Sequence, residues 1–183
     1  MTEIATATRG PHVHPGTRHV VAETSMGALT LVATDAALVG VYFPGHWTRP
    51  AREGFGRQGD LDTDAVLAEA HRQLEAYLAG TRTEFDLGTA RHGDPFQERV
   101  WAELDTIPRG STTTYGEIAT RLGDPRLARM VGRAVGHNPL SVVVPCHRVV
   151  GKDGSLTGYA GGIERKRRLL ELECAAVAAG TLF

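Results

Sequence analysis

The stretch from Thr114 to Pro139 reads TYGEIATRLGDPRLARMVGRAVGHNP. Thr114 and Glu117 have capping-box spacing: the threonine hydroxyl takes the amide of the third helical residue and the glutamate reaches back to the cap. A short helix therefore opens here and ends at Gly123. Asp124-Pro125 interrupts the pattern, and RLARMVGRAVG forms a second helix that stops before Asn138-Pro139. Two short helices joined by a tight Gly-Asp-Pro turn make a helix-turn-helix. In the second helix Arg126, Arg129 and Arg133 share one face, with Leu127, Met130, Val131 and Ala134 expected to pack inward. Ala128, Gly132 and Gly136 fall on the outer face and are too small to hold a backbone away from a partner. Arginines beside such a bald patch suit a helix approaching a nucleic-acid groove, where they meet phosphates or insert between bases. The same residues also fit a solvated surface helix.

The charge distribution leans the same way. The 183-residue chain has a net charge of -1, yet residues 91–168 hold 13 Lys and Arg against 8 Asp and Glu, and the remainder holds 7 against 13. A basic segment beside an acidic remainder fits a polyanionic partner. With 42% hydrophobic and 22% charged residues the composition is that of a folded protein, and its apolar runs are too short to span a bilayer. The beginning, MTEIATATRGPHVHPGTRHV, lacks a signal-peptide core, so the chain is read as cytoplasmic, with no membrane partner.

Upstream, residues 1–16 read as a flexible tail, and His12, His14 and His19 as tail residues rather than a metal cluster. RHVVAET, ALTLVAT and ALVGVYF are short strands of an antiparallel meander, and Pro44 to Asp60 is a loop. Val66, Leu67, Ala70, Leu74, Tyr77 and Leu78 recur at helical spacing until Gly80. GTARHG, from Gly88 to Gly93, is linker-like and divides residues 17–90 from 91–183. Asp94-Pro95-Phe96-Gln97 opens a helix that runs to about Leu104. Gly161-Gly162 leads into IERKRRLLELE, a helix with a basic start and an interior of Leu169, Leu170 and Leu172. The fold class is α/β in the α+β arrangement: a small N-terminal antiparallel sheet with a helix, then a helical domain.

Chemistry concentrates in SVVVPCHRVV, residues 141–150. The chain has two cysteines, Cys146 and Cys174, too few for a disulfide framework or a thiolate-rich metal site. A free thiol has a pKa of about 8.5, so a nucleophile needs a base or a positive field beside it. His147 is adjacent, but in a regular strand consecutive side chains point to opposite faces. Either the strand bends at Pro145, or a water carries the proton between them. Asp153, Glu164, Glu171 and Glu173 are the acids available to orient the imidazole, and spacing does not choose among them.

VVVPCHRVVG, with LTGYAGG and LLELE after it and TTYGEIA and RLARMVGRAVGHNP before it, resembles the O6-alkylguanine-DNA alkyltransferases, the methylated-DNA–protein-cysteine methyltransferases. The resemblance is continuous over roughly residues 94–174 and covers the N-terminal part only in general layout. It implies an RNase H-like N-terminal domain and a C-terminal domain of winged helix-turn-helix type. It implies single-turnover transfer of an alkyl group from O6-alkylguanine, and from O4-alkylthymine, in double-stranded DNA to Cys146. His147 then deprotonates the thiol through water, Glu173 orients the histidine, and Asn138 braces the active-site turn. Arg129 enters the duplex in place of the flipped nucleotide and Tyr115 crowds its phosphate, with Ala128, Gly132, Arg126 and Arg133 along the same DNA-binding surface. Tyr159, Val149, Pro145 and Ala160 line the base pocket. Flipping is required because the alkylated oxygen is enclosed in the stack. A thioether has no easy leaving group, so each molecule acts once.

The resemblance further implies a monomer working without an organic cofactor. Relatives that hold structural zinc use N-terminal cysteines, and this chain has none before Cys146, so no metal site is expected. Ala160 stands where other members offer a hydroxyl, which shifts contacts toward backbone groups. Cys174 is expected to be inert. Two other readings are a lesion-binding alkyltransferase-like protein, opposed by Cys146 because such proteins lack the cysteine, and a cysteine hydrolase, which predicts repeated turnover.

Overall fold

The structure is a computed structural model that describes residues 16–48, 50 and 52–173. The expected tail, apart from Gly16, with His12 and His14, and the expectation for Cys174 lie outside the described residues. His19 is described and is no tail residue: it sits buried in the first strand, its ring against Phe55.

Three strands, β1 (Arg18–Ala22), β2 (Leu29–Ala33) and β3 (Leu38–Tyr42), form the expected meander. Arg18 pairs with Ala33, and Leu31 with Val41. The sheet is not purely antiparallel. Within the segment read as loop, Arg57–Gln58 forms β4, which pairs parallel with β1 and gives the order β3-β2-β1-β4. Two residues are too few to show a period, so β4 left no pattern to read. α1 (Ala65–Leu78) is capped by Asp64, whose carboxylate accepts the Val66 and Leu67 amides at 3.1 Å and also pairs with Arg18. It lays Leu67, Ala70, Leu74 and Tyr77 on the sheet, whereas Val66 is only half-buried.

α2 (Pro95–Asp105) carries the expected capping box between Asp94 and Gln97. Next come β5 (Thr113–Thr114) and α3 (Tyr115–Arg121), the latter capped by Thr114 and Glu117. A 3-10 turn over Pro125–Leu127 leads into α4 (Ala128–Gly136). β6 (Val149–Val150) pairs parallel with β5, and α5 (Ile163–Leu172) follows. Helix, turn and helix thus stand as expected.

The inner face of α4 is rotated from the expected one. Val131, Ala134 and Val135 are buried, Leu127 is half-buried, and Met130 is 51% exposed. A 3-10 turn advances about 120° per residue instead of 100°, so a phase counted from Arg126 is offset by the time the α-helix begins. Gly136, expected outside, is buried with its Cα against the Trp47 indole, where an added Cβ would lie 3.3 Å from the ring.

The two halves share one apolar core. Leu29, Leu31 and Leu74 belong to the same cluster as Val100, Trp101, Leu104 and Val131. The Trp101 indole donates to the Ala134 carbonyl at 2.9 Å, tying α2 to α4. Along the outer edge of β3, Val41 donates to the Pro139 carbonyl at 2.8 Å and accepts from the Ser141 amide at 3.3 Å. The N-terminal sheet therefore holds the chain immediately before Cys146. Among the described residues no helix is long and apolar enough to cross a membrane.

Candidate active site

The valine run is not a strand. Val143 donates to the Ser141 carbonyl at 2.9 Å around Val142, whose φ is 72°. That is a γ-turn of the strained hand, rare for any L-residue and rarer for a β-branched one. Val144 donates to the Leu140 carbonyl, and Cys146 to the Val144 carbonyl at 2.8 Å around Pro145, which is an inverse γ-turn with φ -80° and ψ 56°. Cys146–Arg148 then forms a single 3-10 turn, and strand geometry begins only at Val149. Local turns saturate the backbone here, so valine's strand preference, itself a preference for packed surroundings, is met by burial instead.

Asn138 holds this path. Its Oδ1 accepts the Leu140 amide at 3.0 Å, and its Nδ2 donates to the Val144 carbonyl at 3.0 Å and to Cys146 Sγ at 3.1 Å. One fully buried amide thus fixes the turn and touches the sulfur. Cys146 is 5% exposed. Burial pushes its thiol pKa up, against the pull of the Asn138 amide and the Lys166 charge. The resting group is a protonated thiol, and a base must act when it reacts.

His147 is wholly buried, and its Nε2 lies 2.6 Å from Glu173 Oε1. Of the four acids in reach by sequence, Glu173 is the one that meets the imidazole. The same carboxylate accepts from Arg148 Nε at 2.8 Å and Nη2 at 3.1 Å, from the Gly110 amide at 3.2 Å and from the Tyr77 hydroxyl. Burial works to raise the Glu173 pKa, but hydrogen bonds from His147 and Arg148 outweigh it and hold the group well below the usual carboxylate range. An ionised carboxylate only accepts, so His147 carries its proton on Nε2. Burial also depresses the His147 pKa, despite the opposing pull of Glu173, so the ring is neutral. Nδ1 is then an acceptor, and it is buried without a protein hydrogen-bond partner.

A pH dependence follows from the sign of that shift. An unfolded histidine titrates near about 6.5, whereas folded His147 takes its proton only at lower pH. In that window the unfolded chain binds the extra proton, so stability falls as pH falls, by up to about 1.4 kcal/mol per pH unit. Thermal melts from about pH 7.5 down to about pH 5 should show declining Tm. His147→Gln should flatten the decline, and an unchanged slope in that variant would assign it to other groups.

Tyr159, Tyr115 and Lys166 lie within electrostatic reach of the sulfur, so each would feel the charge of a Cys146 thiolate. Tyr159 is 4% exposed, its ring edge-on to Phe43, and burial raises its pKa well above the ordinary value. Val149 and Pro145 are buried and Ala160 is half-buried. Tyr115 donates its hydroxyl to the Thr157 carbonyl at 3.1 Å and lies beside Gly132. Lys166 is fully buried on α5, donating to the carbonyls of Val149 at 2.5 Å and Thr157 at 2.6 Å, and burial lowers its pKa to about 8. It belongs to the site although it sits in the basic start of its helix. Its signal was present: Lys166, Leu169 and Leu170 lie at i, i+3 and i+4 on one face. Arg148 and Tyr77 were also missed.

Arg129 and Arg133 are exposed on α4, and Ala128 is half-buried. Arg126 lies in the preceding 3-10 turn, exposed and paired with Asp124 at 2.9 Å. These side chains and the cysteine belong to one small half of the molecule. Fold and site together define a helix-turn-helix protein with a buried cysteine, an amide on its sulfur and a His–Glu pair behind it.

Known proteins resemble this chain in sequence and fold. The DNA binding domain of 6-O-methylguanine DNA methyltransferase matches residues 95–175, and that family's ribonuclease-like domain matches residues 18–90. The chain is 46% identical over 151 residues, 82% of its length and 88% of the relative's, to a methylated-DNA–protein-cysteine methyltransferase of Mycolicibacterium paratuberculosis. The crystal structure of Mycobacterium tuberculosis O6-methylguanine methyltransferase superposes with a TM-score of 0.76 at 43% identity, covering 86% of this chain and 93% of that one. The M. tuberculosis protein solved in complex with DNA gives 0.74 at 43% identity, covering 88% and 96%. The chain belongs to the 6-O-methylguanine DNA methyltransferase family.

Proposed function

We propose that this protein repairs double-stranded DNA by moving the alkyl group of O6-alkylguanine, and of O4-alkylthymine, irreversibly onto Cys146. The observation that carries the reading is the buried Cys146 thiol backed by a neutral His147 whose acceptor nitrogen is free of protein partners. A water accepts the thiol proton and passes one to His147 Nδ1, while Glu173 stabilises the imidazolium that forms. The thiolate attacks the alkyl carbon, an S–C bond forms, and the C–O6 bond breaks with its electrons going to the base. The departing base takes up a proton and leaves as guanine. Asn138 holds the sulfur through its amide and keeps the turn rigid.

Tyr159, Val149, Pro145 and Ala160 receive the base once it has left the stack. Arg129 fills the gap in the duplex, and Arg126 and Arg133 meet phosphates on either side, with Ala128 and Gly132 allowing close approach. Tyr115 presses on the phosphate that turns. Residues 17–90 form a supporting unit and 91–183 the DNA-binding and transfer unit, a division supported by the family matches to 18–90 and 95–175. The protein acts as a monomer in the cytoplasm, on nucleoid DNA.

The test is to incubate the protein with duplex DNA containing one O6-methylguanine, digest the DNA to nucleosides and weigh the protein. Restored guanine with a protein heavier by one methylene at Cys146 supports the reading. Unaltered lesion with bound protein favours lesion binding alone. Arg129→Ala should slow repair in duplex by about tenfold or more and leave reaction with the free O6-alkylguanine base near wild type, since only the duplex needs a wedge. Equal losses on both substrates would refute the insertion role.

A further inference from the structure

The line of small residues on α4 is not bare along its whole length. Ala128, Gly132 and Gly136 recur every four residues, so they fall along one ridge with about 6 Å of rise between neighbours. Two aromatic side chains from outside the helix lie against it. A Cβ added at Gly132 would sit 3.7 Å from the Tyr115 ring, and one added at Gly136 would sit 3.3 Å from the Trp47 indole. In the reading above Tyr115 stands at the phosphate that turns. Trp47 occupies the corresponding place one helical turn further along.

Trp47 comes from the N-terminal half, on the loop that follows β3. It is 63% exposed, more than any other large apolar side chain among the described residues. Both neighbours are held: His46 is buried with its Nε2 3.2 Å from the Ser141 hydroxyl, and Thr48 donates its hydroxyl to the Gly136 carbonyl at 3.1 Å. A ring presented on an anchored backbone loses little freedom when a partner arrives. The phase of α4 identifies that partner. At about 100° per residue, Gly136 lies about 20° around the helix from Arg129 and about 60° from Arg133. Both arginines are exposed, and among the described residues neither makes an ion pair. Cations without counter-charges beside an apolar ring match a sugar–phosphate backbone, with phosphates for the arginines and a deoxyribose face for the indole.

We propose that Trp47 is a DNA contact, its indole packing on the sugar–phosphate backbone beside the C-terminal end of α4. The N-terminal half then shares in holding the duplex. The inference rests on the repair reading above, in which α4 faces DNA. A contact of this kind carries no sequence or lesion information, because every nucleotide presents the same sugar. It adds affinity for any duplex and leaves the transfer step itself alone.

The test uses the contrast between the chain's two tryptophans, the exposed Trp47 and Trp101 at 1% exposure. Acrylamide should quench Trp47 fluorescence in the free wild-type protein, and saturating undamaged duplex should protect it. Trp47→Phe, which leaves only the buried Trp101, should show little quenching with or without DNA. Trp47→Ala should weaken binding to undamaged and to lesion duplex alike, by about tenfold. The salt dependence of binding should not change, because no charge is lost. Trp47→Phe, which keeps a ring beside Gly136, should recover most of the affinity. Reaction with free O6-alkylguanine base needs no duplex, and in Trp47→Ala it should stay within about twofold of wild type. An unprotected Trp47 in the protein–DNA complex, wild-type duplex affinity in Trp47→Ala, or a slowed free-base reaction, which would make the residue a prop for the fold, would each overturn the proposal. A wild-type protein that binds no duplex would instead sink the repair reading beneath it.

Discussion

Cys146→Ser is expected to abolish alkyl transfer, by at least about a thousandfold, while duplex binding stays within about twofold of wild type. Serine is smaller by little and keeps the Asn138 contact available, so the turn should survive. Its hydroxyl is far less acidic than a thiol, and a neutral buried imidazole cannot ionise it usefully through water. The proposed binding surface, meanwhile, lies on α4, whose Arg129 and Arg133 are exposed. Gel-shift affinity and single-turnover transfer on the same preparation check the two halves of the prediction. Loss of binding together with transfer would mean that the residue is structural, and retained transfer would place the acceptor elsewhere.

Glu173→Gln is the second large effect, and it should strike stability and rate together. The carboxylate takes hydrogen bonds from His147, Tyr77, Arg148 and the Gly110 amide, none of which an amide nitrogen can accept. Arg148, buried with 9% exposure, would be left without its neutralising partner. Breaking such a pair costs about 3–5 kcal/mol, or a Tm loss of roughly 6–20 °C for a chain of this size. His147 would also lose the group that keeps its proton on Nε2, and transfer should fall at least about a hundredfold. Melting and single-turnover kinetics on one variant read both effects. A Tm within about 2 °C of wild type with unchanged rate would remove Glu173 from the account.

What could be read in the chain and what could not divides along locality. Asp64, Asp94 and Thr114 each cap a helix with bonds inside three residues, so a short pattern carries the whole cause. The helix-turn-helix was legible for that reason, and the candidacy of Cys146 because a thiol beside a histidine is itself a chemical signal. The valine run was misread because β-branched residues prefer strands and packed interiors alike, and only the Asn138 side chain, bonding Val144 across six residues, selects the turn. Tyr77 reaches Glu173 across 96 positions, and no local pattern encodes such a contact. The same holds for His46 and Ser141, 95 positions apart. Spacing left four acids open for His147, and the choice of Glu173 became visible only once α5 packed beside the cysteine turn. The contribution of the N-terminal half, obscure in sequence, now has substance: it supplies Tyr77 to the acid and backbone bonds to the chain before Cys146.

The central claim is that the alkyl group ends on Cys146 and stays there. The most direct measurement is a titration of limiting protein with excess duplex carrying labelled O6-methylguanine, followed to completion, with the labelled peptide mapped. The account predicts a plateau at about one methyl per molecule, all of it on Cys146, because a thioether offers water no leaving group. Continued release of methyl beyond one equivalent, or label on any other residue, would contradict it.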